Sequence, residues 1–200
     1  MQLTKKDKRM FEYICHLHHE NKDYKNLTWQ MHQQLPSSDW QFPNALEEYY
    51  QHCFADNLDL IQNKKVIDIG CEYGNKIPWF DKFSPKHLLC IDPNNKHMYL
   101  ANYVATLVDC DTSCFTGKAE DCDLKADTVF MLSVNQHFDN QLNLLDKLDC
   151  EHIVIDTWTD NRYKDNLSIN TLLEFFDNKY INEKIWFFKS NRIVLRYRRK

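Results

Sequence analysis

Residues 66–80 read VIDIGCEYGNKIPWF, an apolar run that ends in an aspartate and is followed by two glycines. The whole chain contains only three glycines, and Gly70 and Gly74 lie within five residues of each other. Glycine allows the positive φ and the close backbone approach that are needed where a strand turns into a helix around a ligand. The stretch therefore predicts a strand, a ligand-binding loop and a helix whose first turn contains Pro78.

The composition is that of a globular protein. The chain has 200 residues, of which 43% are hydrophobic and 14% aromatic, so it can bury one full core. Its net charge of −4 argues against a general attraction to nucleic acid. Basic residues cluster near the end of the chain, and we interpret them as a solvated strand rather than a phosphate-binding patch. They are Arg192, Arg196, Arg198, Arg199 and Lys200.

The eight cysteines form no CxxC pair, and no secretory signal or apolar run of about 20 residues is present. We therefore expect reduced thiols and a cytoplasmic protein, in the host cytoplasm if the source is a virus. Cys15, His18 and His19 share neighbouring faces of a predicted helix over residues 4–21. A solvated helix surface explains them better than a metal site, so no metal ligand is assigned.

After Asn63, short β-rich runs alternate with helical segments, which predicts βαβ units and a parallel sheet with helices on both faces. The last two runs are close together and predict an antiparallel hairpin. The runs are KVIDI (65–69), HLLCI (87–91), SCFTG (113–117), TVFML (128–132), HIVID (152–156), KIWFF (184–188) and RIVLRYR (192–198), and the helical segments are 76–83, 94–108, 138–148 and 168–179. Residues 1–62 are predicted to form a helical N-terminal cap on the domain formed by residues 63–200.

Acidic residues at the ends of the first two predicted strands suggest the kind of cofactor. Asp92 lies 18 residues beyond Gly74, where a carboxylate is expected to bind the hydroxyls of a ribose. Asp68 and Glu72 flank the glycine loop and would repel the pyrophosphate of a dinucleotide. They favour a cofactor with adenosine and a cationic head, as in S-adenosylmethionine (SAM).

The segments VIDIGCEYG, HLLCIDPN and FTGKAEDCDLKADTVFMLSVNQHF, together with the closing hairpin, resemble the successive motifs of class I SAM-dependent methyltransferases. The resemblance covers residue 64 to the last residue. It implies an α/β, Rossmann-like seven-stranded sheet of order 3-2-1-4-5-7-6 with strand 7 antiparallel, a helical N-terminal extension, and SAM as the cofactor. The cofactor-binding residues that it implies are Asp68, Gly70, Cys71, Glu72, Tyr73, Gly74, Asp92, Pro93, Ala119, Glu120, Asp121 and Ser133.

Two positions depart from the pattern of this family. Glu72 stands where the usual loop has a glycine, although loops without that glycine also occur. Lys118 stands where an acidic or amide side chain often meets the adenine, so Glu120, Asp121 or backbone amides would take that role. Gly117 opens the same loop, and we expect all three glycines to lie in turns that face the cofactor.

The methyl acceptor is expected beside the ends of strands 4 and 5. We predict Asn135 and His137 as catalytic residues that orient or deprotonate an acceptor. The predicted substrate-binding residues are Trp158, Arg162, Tyr163, Trp29 and Trp40. The favoured function is methyl transfer to the oxygen or nitrogen of a small molecule.

Several alternatives stay open at this point. The chain could be an inactive binding or scaffold protein of this fold, perhaps encoded by a phage, since a fold does not by itself imply an activity. It could also be an RNA methyltransferase, or a nicotinamide-dependent oxidoreductase, which the acidic loop argues against. The sequence does not indicate an oligomeric state.

Overall fold

The computed structural model describes residues 49, 52–74, 76–132, 141–158, 169–188 and 192–200. The strands are β1 (Lys65–Ile69), β2 (His87–Asp92), β3 (Thr112–Thr116), β4 (Lys125–Met131), β5 (Asp149–Trp158), β6 (Tyr180–Phe187) and β7 (Arg192–Arg199). The helices are α1 (Leu58–Ile61), α2 (Ile77–Lys82), α3 (Asn95–Ala105), α4 (Gln141–Lys147) and α5 (Ile169–Asp177), with 3₁₀ turns at Ala55–Asn57 and Ala119–Asp121.

The seven strands form one sheet of order β3-β2-β1-β4-β5-β7-β6, which confirms the predicted order. Strands β1 to β5 pair in parallel, whereas β7 is antiparallel to both β5 and β6. The strand order reverses between β1 and β4. In open α/β sheets the ligand crevice lies above the carboxyl ends of the strands at such a switch point, so it is expected directly beyond β1.

Apolar side chains cover both faces of the sheet, as a mainly parallel sheet requires. On one face Val66, Leu88 and Phe130 pack with α2 and α3. On the other face Ile67 and Ile69 join the cluster formed by α4 and α5. Because side chains alternate along a strand, Asp68 lies on the same face as Val66, next to the start of α2.

The described end of the predicted N-terminal cap is part of the core. Tyr49 and Cys53 are buried, and Phe54 packs edge-on against Phe80 with ring centroids 4.9 Å apart. Leu60 and Ile61 complete this contact with the sheet face. Residues 1–48 lie outside the described ranges, so the proposed covering of the crevice by this segment stays a prediction.

The cysteines and helices of the described ranges bear on the expected cellular location. Seven cysteines lie there, and all are free thiols. In the same ranges, every helix is too short or too polar to cross a bilayer.

The arginines of the last strand are not all solvated, and the interpretation of this strand as a solvated basic tail is wrong for two of them. Arg196 is buried, and its Nη1 and Nη2 donate to the two carboxylate oxygens of Asp59 at 2.9 and 2.7 Å. Its Nε donates to Glu183 Oε2 at 2.8 Å, and Arg192 pairs with Asp156 at 2.7 Å. The reason is the position of β7, which lies between β5 and β6 instead of at the sheet edge.

The Arg196 network predicts a measurable loss of stability when it is removed. In Arg196→Met, Asp59 and Glu183 lose three charged contacts between them, Glu183 keeps its pair with Arg198, and the free energy of unfolding should fall by about 2–3 kcal/mol. Arg199→Met is the matched control, because the Arg199–Asp149 pair is about half exposed and should contribute under about 1 kcal/mol. Urea denaturation measures both values. Equal losses in the two variants would contradict the claim that the Arg196 contacts stabilise the fold more than the Arg199 pair does.

Candidate functional site

The loop after β1 is fastened to the end of β2 by its backbone. Gly70 has a φ of 71°, and its N–H donates to the carbonyl oxygen of Ile91 at 2.8 Å. The N–H of Cys71 donates to the same oxygen at 3.2 Å. The left-handed conformation at Gly70 turns the chain away from the strand and exposes the next residues of the loop to the crevice.

Glu72 adopts a left-handed conformation, with a φ of 49°. This conformation costs roughly 1 kcal/mol or more for a residue with a Cβ, which explains why glycine suits this position in similar loops. In return, the N–H of Glu72 donates to Oδ2 of Asp92 at 3.2 Å. The residue that departs from the family pattern is therefore the one that links the loop to the carboxylate at the end of β2.

Asp92 is held in place by donors on three sides. Its Oδ1 accepts from the backbone N–H of Asn94 at 2.9 Å and lies 3.2 Å from Nδ1 of His97. The His97 ring packs on Tyr73, with centroids 4.2 Å apart. Burial alone would raise the pKa of Asp92, but the hydrogen bonds from His97, Asn94 and Glu72 outweigh it and lower that pKa. Asp92 is thus an ionised, oriented carboxylate at the crevice.

A second carboxylate, Asp68, is fully buried at the base of the loop and forms an ion pair with a lysine that follows the loop. Nζ of Lys76 lies 2.9 Å from Oδ1 of Asp68. The same ammonium donates to the carbonyl oxygen of Gly70 at 3.0 Å and to that of Leu132 at 3.5 Å. Lys76 therefore joins the loop to the end of β1 and to the residue that follows β4.

The ion pair lies in a setting of low polarity. Burial raises the pKa of Asp68 to about 6, although the neighbouring ammonium of Lys76 acts in the opposite direction. Burial alone would lower the pKa of Lys76, but its pairing with Asp68 outweighs this effect and raises that pKa. Both groups are thus charged near pH 7. The carboxylates of Glu72 and Asp92 add further negative charge beside Asp68.

The predicted adenine loop lies directly beside Asp92. The N–H of Gly117 donates to the backbone carbonyl of Asp92 at 3.2 Å. Ala119 is buried in the 3₁₀ turn, Glu120 is half-buried, and Asp121 is exposed. Pro93 is exposed at the end of β2. The structure thus places the carboxyl ends of β1, β2 and β3 side by side, where the crevice is expected.

Two residues that are predicted to contact the cofactor, Cys71 and Gly74, also pack against helix α3. The Cys71 side chain is buried against Met98, with the two sulfur atoms 3.5 Å apart, so only its backbone is available to a ligand. Gly74, with a φ of 77°, also lies against helix α3. A Cβ built on it would lie 2.9 Å from Cα of Ala101 and 2.8 Å from Cδ1 of Ile77. The small size of Gly74 therefore allows loop and helix to pack closely, and its place in a turn that faces the cofactor stays a prediction.

Most predicted acceptor residues lie outside the described ranges. They are Ser133, Asn135, His137, Arg162, Tyr163, Trp29 and Trp40. For Trp158 the backbone is described, and it pairs with Arg192 at the carboxyl end of β5. The structure does not test the roles predicted for these residues.

A buried polar cluster occupies the same end of β5. The hydroxyl of Tyr49 donates to Oδ2 of Asp156 at 2.6 Å, and Nη2 of Arg192 lies 2.7 Å from that oxygen. The Arg192 guanidinium also stacks over the Tyr49 ring, 4.3 Å from its centroid. Burial raises the pKa of Tyr49 well above its usual value, so this phenol stays protonated and acts as a donor.

Comparison with solved structures identifies the fold. A SAM-dependent methyltransferase from Aquifex aeolicus superposes with a TM-score of 0.65 and 14% identity, over 78% of this chain and 92% of that chain. A magnesium protoporphyrin IX methyltransferase from Synechocystis PCC 6803, solved with bound SAM, has a TM-score of 0.65 and 16% identity, over 89% of this chain and 94% of that chain. The N-methyltransferase NodS from Bradyrhizobium japonicum WM9 has a TM-score of 0.64 and 13% identity, over 78% and 97%.

The chain has the class I methyltransferase fold. This agrees with the resemblance in the glycine loop, at Asp92 and in the terminal hairpin. No protein-family model matches the sequence, and no curated protein matches it significantly. At identities of 12–16% the solved structures support the architecture of this methyltransferase fold and leave the acceptor open.

Sequence reasoning missed three of the residues that organise the crevice: Lys76, His97 and Tyr49. A lysine two residues beyond Gly74 was visible as the only basic residue in VIDIGCEYGNKIPWF. The inward orientation of this lysine was not visible from the sequence, because lysine side chains are most often solvated. His97 lies five residues after Asp92, a spacing that brings a side chain on the first helical turn back to the strand end.

The contact between Gly74 and helix α3 predicts a sharp difference between two glycines. Gly74→Ala places a Cβ against the backbone of Ala101 at a positive φ, and the free energy of unfolding should fall by about 2–4 kcal/mol. Gly117→Ala is the control, because the atoms nearest its Cβ belong to the partly exposed Phe115 ring, which can rotate away. Its loss should stay under about 1 kcal/mol. Thermal and urea unfolding compare the two, and a Gly74→Ala variant as stable as wild type would refute the packing role.

Proposed function

We propose that this protein is a SAM-dependent methyltransferase that acts on a small molecule. The observation that supports this best is the oriented carboxylate of Asp92, next to the glycine loop at the switch point of the sheet. Solved proteins of this fold bind SAM, as the protein from Synechocystis does. The sheet order, and the position of the loop beyond β1, are consistent with SAM binding at this switch point.

The ribose end of the cofactor fits the residues that are present. A carboxylate offers about four lone-pair sites, and Asp92 uses three of them for Glu72, Asn94 and His97. The fourth site is left for a ribose hydroxyl, and a second hydroxyl could replace the hydrogen bond from His97. The loop that begins at Gly117 is bonded to the Asp92 backbone and would hold the adenine. Glu120 and the backbone amides of this loop are the proposed adenine partners.

The charge of the crevice suits a cation and disfavours a pyrophosphate. The carboxylates of Glu72 and Asp92 lie close enough to the buried Asp68 to act on its charge, so the loop carries several acidic groups. Acidic groups would stabilise a positively charged cofactor and repel a pyrophosphate in a setting where electrostatic interactions are stronger than in water. This argument favours SAM over a nicotinamide dinucleotide.

When bound, SAM supplies an activated methyl group with a good leaving group, so the chain needs mainly to position an acceptor and exclude water. We assign positioning of the acceptor to residues 133–140 and to the end of β5. Asn135 and His137 are the proposed catalytic residues, and Trp158, Arg162, Tyr163, Trp29 and Trp40 are proposed to contact the acceptor. Tyr49 and Arg192 donate to the Asp156 carboxylate and fix its orientation near the carboxyl end of β5.

A small acceptor is favoured over RNA by the use of the arginines. Arg192 and Arg196 are engaged in internal ion pairs and are not available for phosphates. With a net charge of −4, the chain has little attraction for a polyanion. The free thiols of the described ranges agree with a reducing compartment, and we propose a cytoplasmic location.

The second candidate function is a binding protein of the same fold without catalysis. The observation in its favour is Lys76, which already occupies Asp68 and the carbonyl of Gly70. A protein whose cofactor site is filled by its own side chain could keep the fold and have lost the reaction. Cofactor binding separates the two functions.

Calorimetric titration with SAM, S-adenosylhomocysteine and NAD tests the proposal. We expect the two adenosyl compounds to bind and NAD to give no heat. In Asp92→Ala the affinity for both should fall about 100-fold, because two hydrogen bonds to a charged group contribute together about 3 kcal/mol. Labelled SAM incubated with host metabolites then identifies the acceptor.

Asp111→Ala is the matched control for that variant. Asp111 also pairs with a histidine, His87, at 2.9 Å, but it lies at the opposite end of the sheet, before β3. The affinity of the Asp111→Ala variant for S-adenosylhomocysteine should equal that of wild type. The proposal fails if wild type gives no heat with either adenosyl compound, or if the two aspartate variants bind equally well.

A further inference from the structure

The ion pair of Lys76 with Asp68 has a consequence for ligand selection. Lys76 lies directly before α2, and its side chain folds back beneath the loop. Its ammonium meets three acceptors: Asp68 Oδ1, the Gly70 carbonyl and the Leu132 carbonyl. An ammonium has three N–H donors, which equals the number of these oxygen atoms, all within 3.5 Å of Lys76 Nζ.

A ligand with an ammonium group would seek the same acceptors. In the crevice beyond β1, Asp68 is the buried carboxylate and Gly70 provides the carbonyl at the turn. Both oxygens of Asp68 are buried, and among the described residues neither accepts a hydrogen bond of good geometry. Oδ1 is in ion-pair contact with Lys76, so a second cation would have to approach Oδ2, beside the positive charge of Lys76. The ammonium of a ligand and that of Lys76 would repel each other strongly if both contacted this one carboxylate where water is excluded.

Resting on the proposed function, we infer that Lys76 is an internal competitor for the ammonium of the cofactor, and therefore a specificity residue that weakens binding of any adenosyl ligand with an amino-acid tail. Adenosine and the sulfur contribute affinity through Asp92 and the 117–121 loop. The amino-acid part contributes little until Lys76 leaves Asp68. Affinity then depends on the exchange of one ammonium for another at one carboxylate.

The remaining charges of the loop do not replace Asp68 as the partner of such an ammonium. The carboxylate of Asp92 is occupied by His97 and by two backbone N–H groups. Glu72 is half-buried in the loop itself, so it is less shielded from water than Asp68 and would hold an ammonium less strongly. Asp68 is fully buried and fixed by its strand, so it is the group for which two ammoniums compete.

The test compares two ligands that differ only in the part that meets Lys76. S-adenosylhomocysteine has the amino-acid tail, and methylthioadenosine lacks it. In wild type we expect S-adenosylhomocysteine to bind no more tightly than methylthioadenosine. In Lys76→Met we expect the affinity for S-adenosylhomocysteine to rise about tenfold or more, since its ammonium becomes the partner of Asp68. The affinity for methylthioadenosine should change less than about twofold.

Two further variants make the result specific. Lys82→Met removes an exposed lysine from the far end of the same helix and should leave both affinities unchanged. In Asp68→Asn/Lys76→Met both charges are gone, so the gain for S-adenosylhomocysteine should disappear. If Lys76→Met does not fold because Asp68 is left alone, Lys76→Gln keeps a donor for Gly70 without the charge. It should show the same gain.

The outcomes separate this inference from the proposed function. Wild-type protein that binds S-adenosylhomocysteine at least about tenfold more tightly than methylthioadenosine would overturn the competition, while methyl transfer by SAM would stand. A Lys76 variant that binds S-adenosylhomocysteine more weakly would overturn it as well. Absence of binding by both ligands to every variant would contradict the proposed function, and the inference with it.

Discussion

The buried ion pair between Asp68 and Lys76 is the interaction around which the crevice is organised. A carboxylate at the end of the central strand cannot remain charged without a cation, and this chain supplies one from the residue before the next helix. The same ammonium binds the carbonyls of Gly70 and Leu132, so the end of β1, the loop and the residue after β4 are held together. The position of the loop over the crevice follows from this contact.

The remaining elements of the site are arranged around the loop by the sheet. Glu72 accepts a left-handed conformation and directs its N–H at Asp92, which is the terminal residue of β2. The Asp92 backbone in turn receives the N–H of Gly117 beyond β3. The ends of three adjacent parallel strands thus bring one carboxylate, one turn and one loop together. That arrangement is the physical basis for assigning an adenosyl cofactor.

Much of this was predictable from the sequence where the determinants are local. The run KVIDI forms β1 with its predicted bounds, and the alternation of strands and helices, with the family resemblance, predicted the sheet order. Strands β4 and β5 begin three residues before their apolar runs, because they pair with each other from Lys125 and Asp149 onward. Glu72 was also identified in advance as the unusual position of the loop.

The parts that could not be predicted depend on long-range contacts. The Arg196 guanidinium bonds to Asp59, 137 residues away, and no local pattern distinguishes it from the exposed Arg199. Tyr49 reaches Asp156 from the segment before the sheet, over 107 residues. The inward turn of Lys76 depends on a buried carboxylate that only the folded chain provides. Charge pairing in the interior is set by the fold, and a sequence shows only the groups that are available for it.

The central claim is that the crevice beyond β1 binds an adenosyl cofactor, and that Lys76 occupies the place of the cofactor's ammonium group. A crystal structure of the protein with S-adenosylhomocysteine at saturating concentration tests it most directly. The account predicts the ribose hydroxyls on Asp92, the adenine against residues 117–121, and Nζ of Lys76 displaced from Asp68 wherever the ligand ammonium is ordered. A nucleoside bound elsewhere, or an ordered ligand ammonium on Asp68 and Gly70 with Lys76 unmoved, would contradict it.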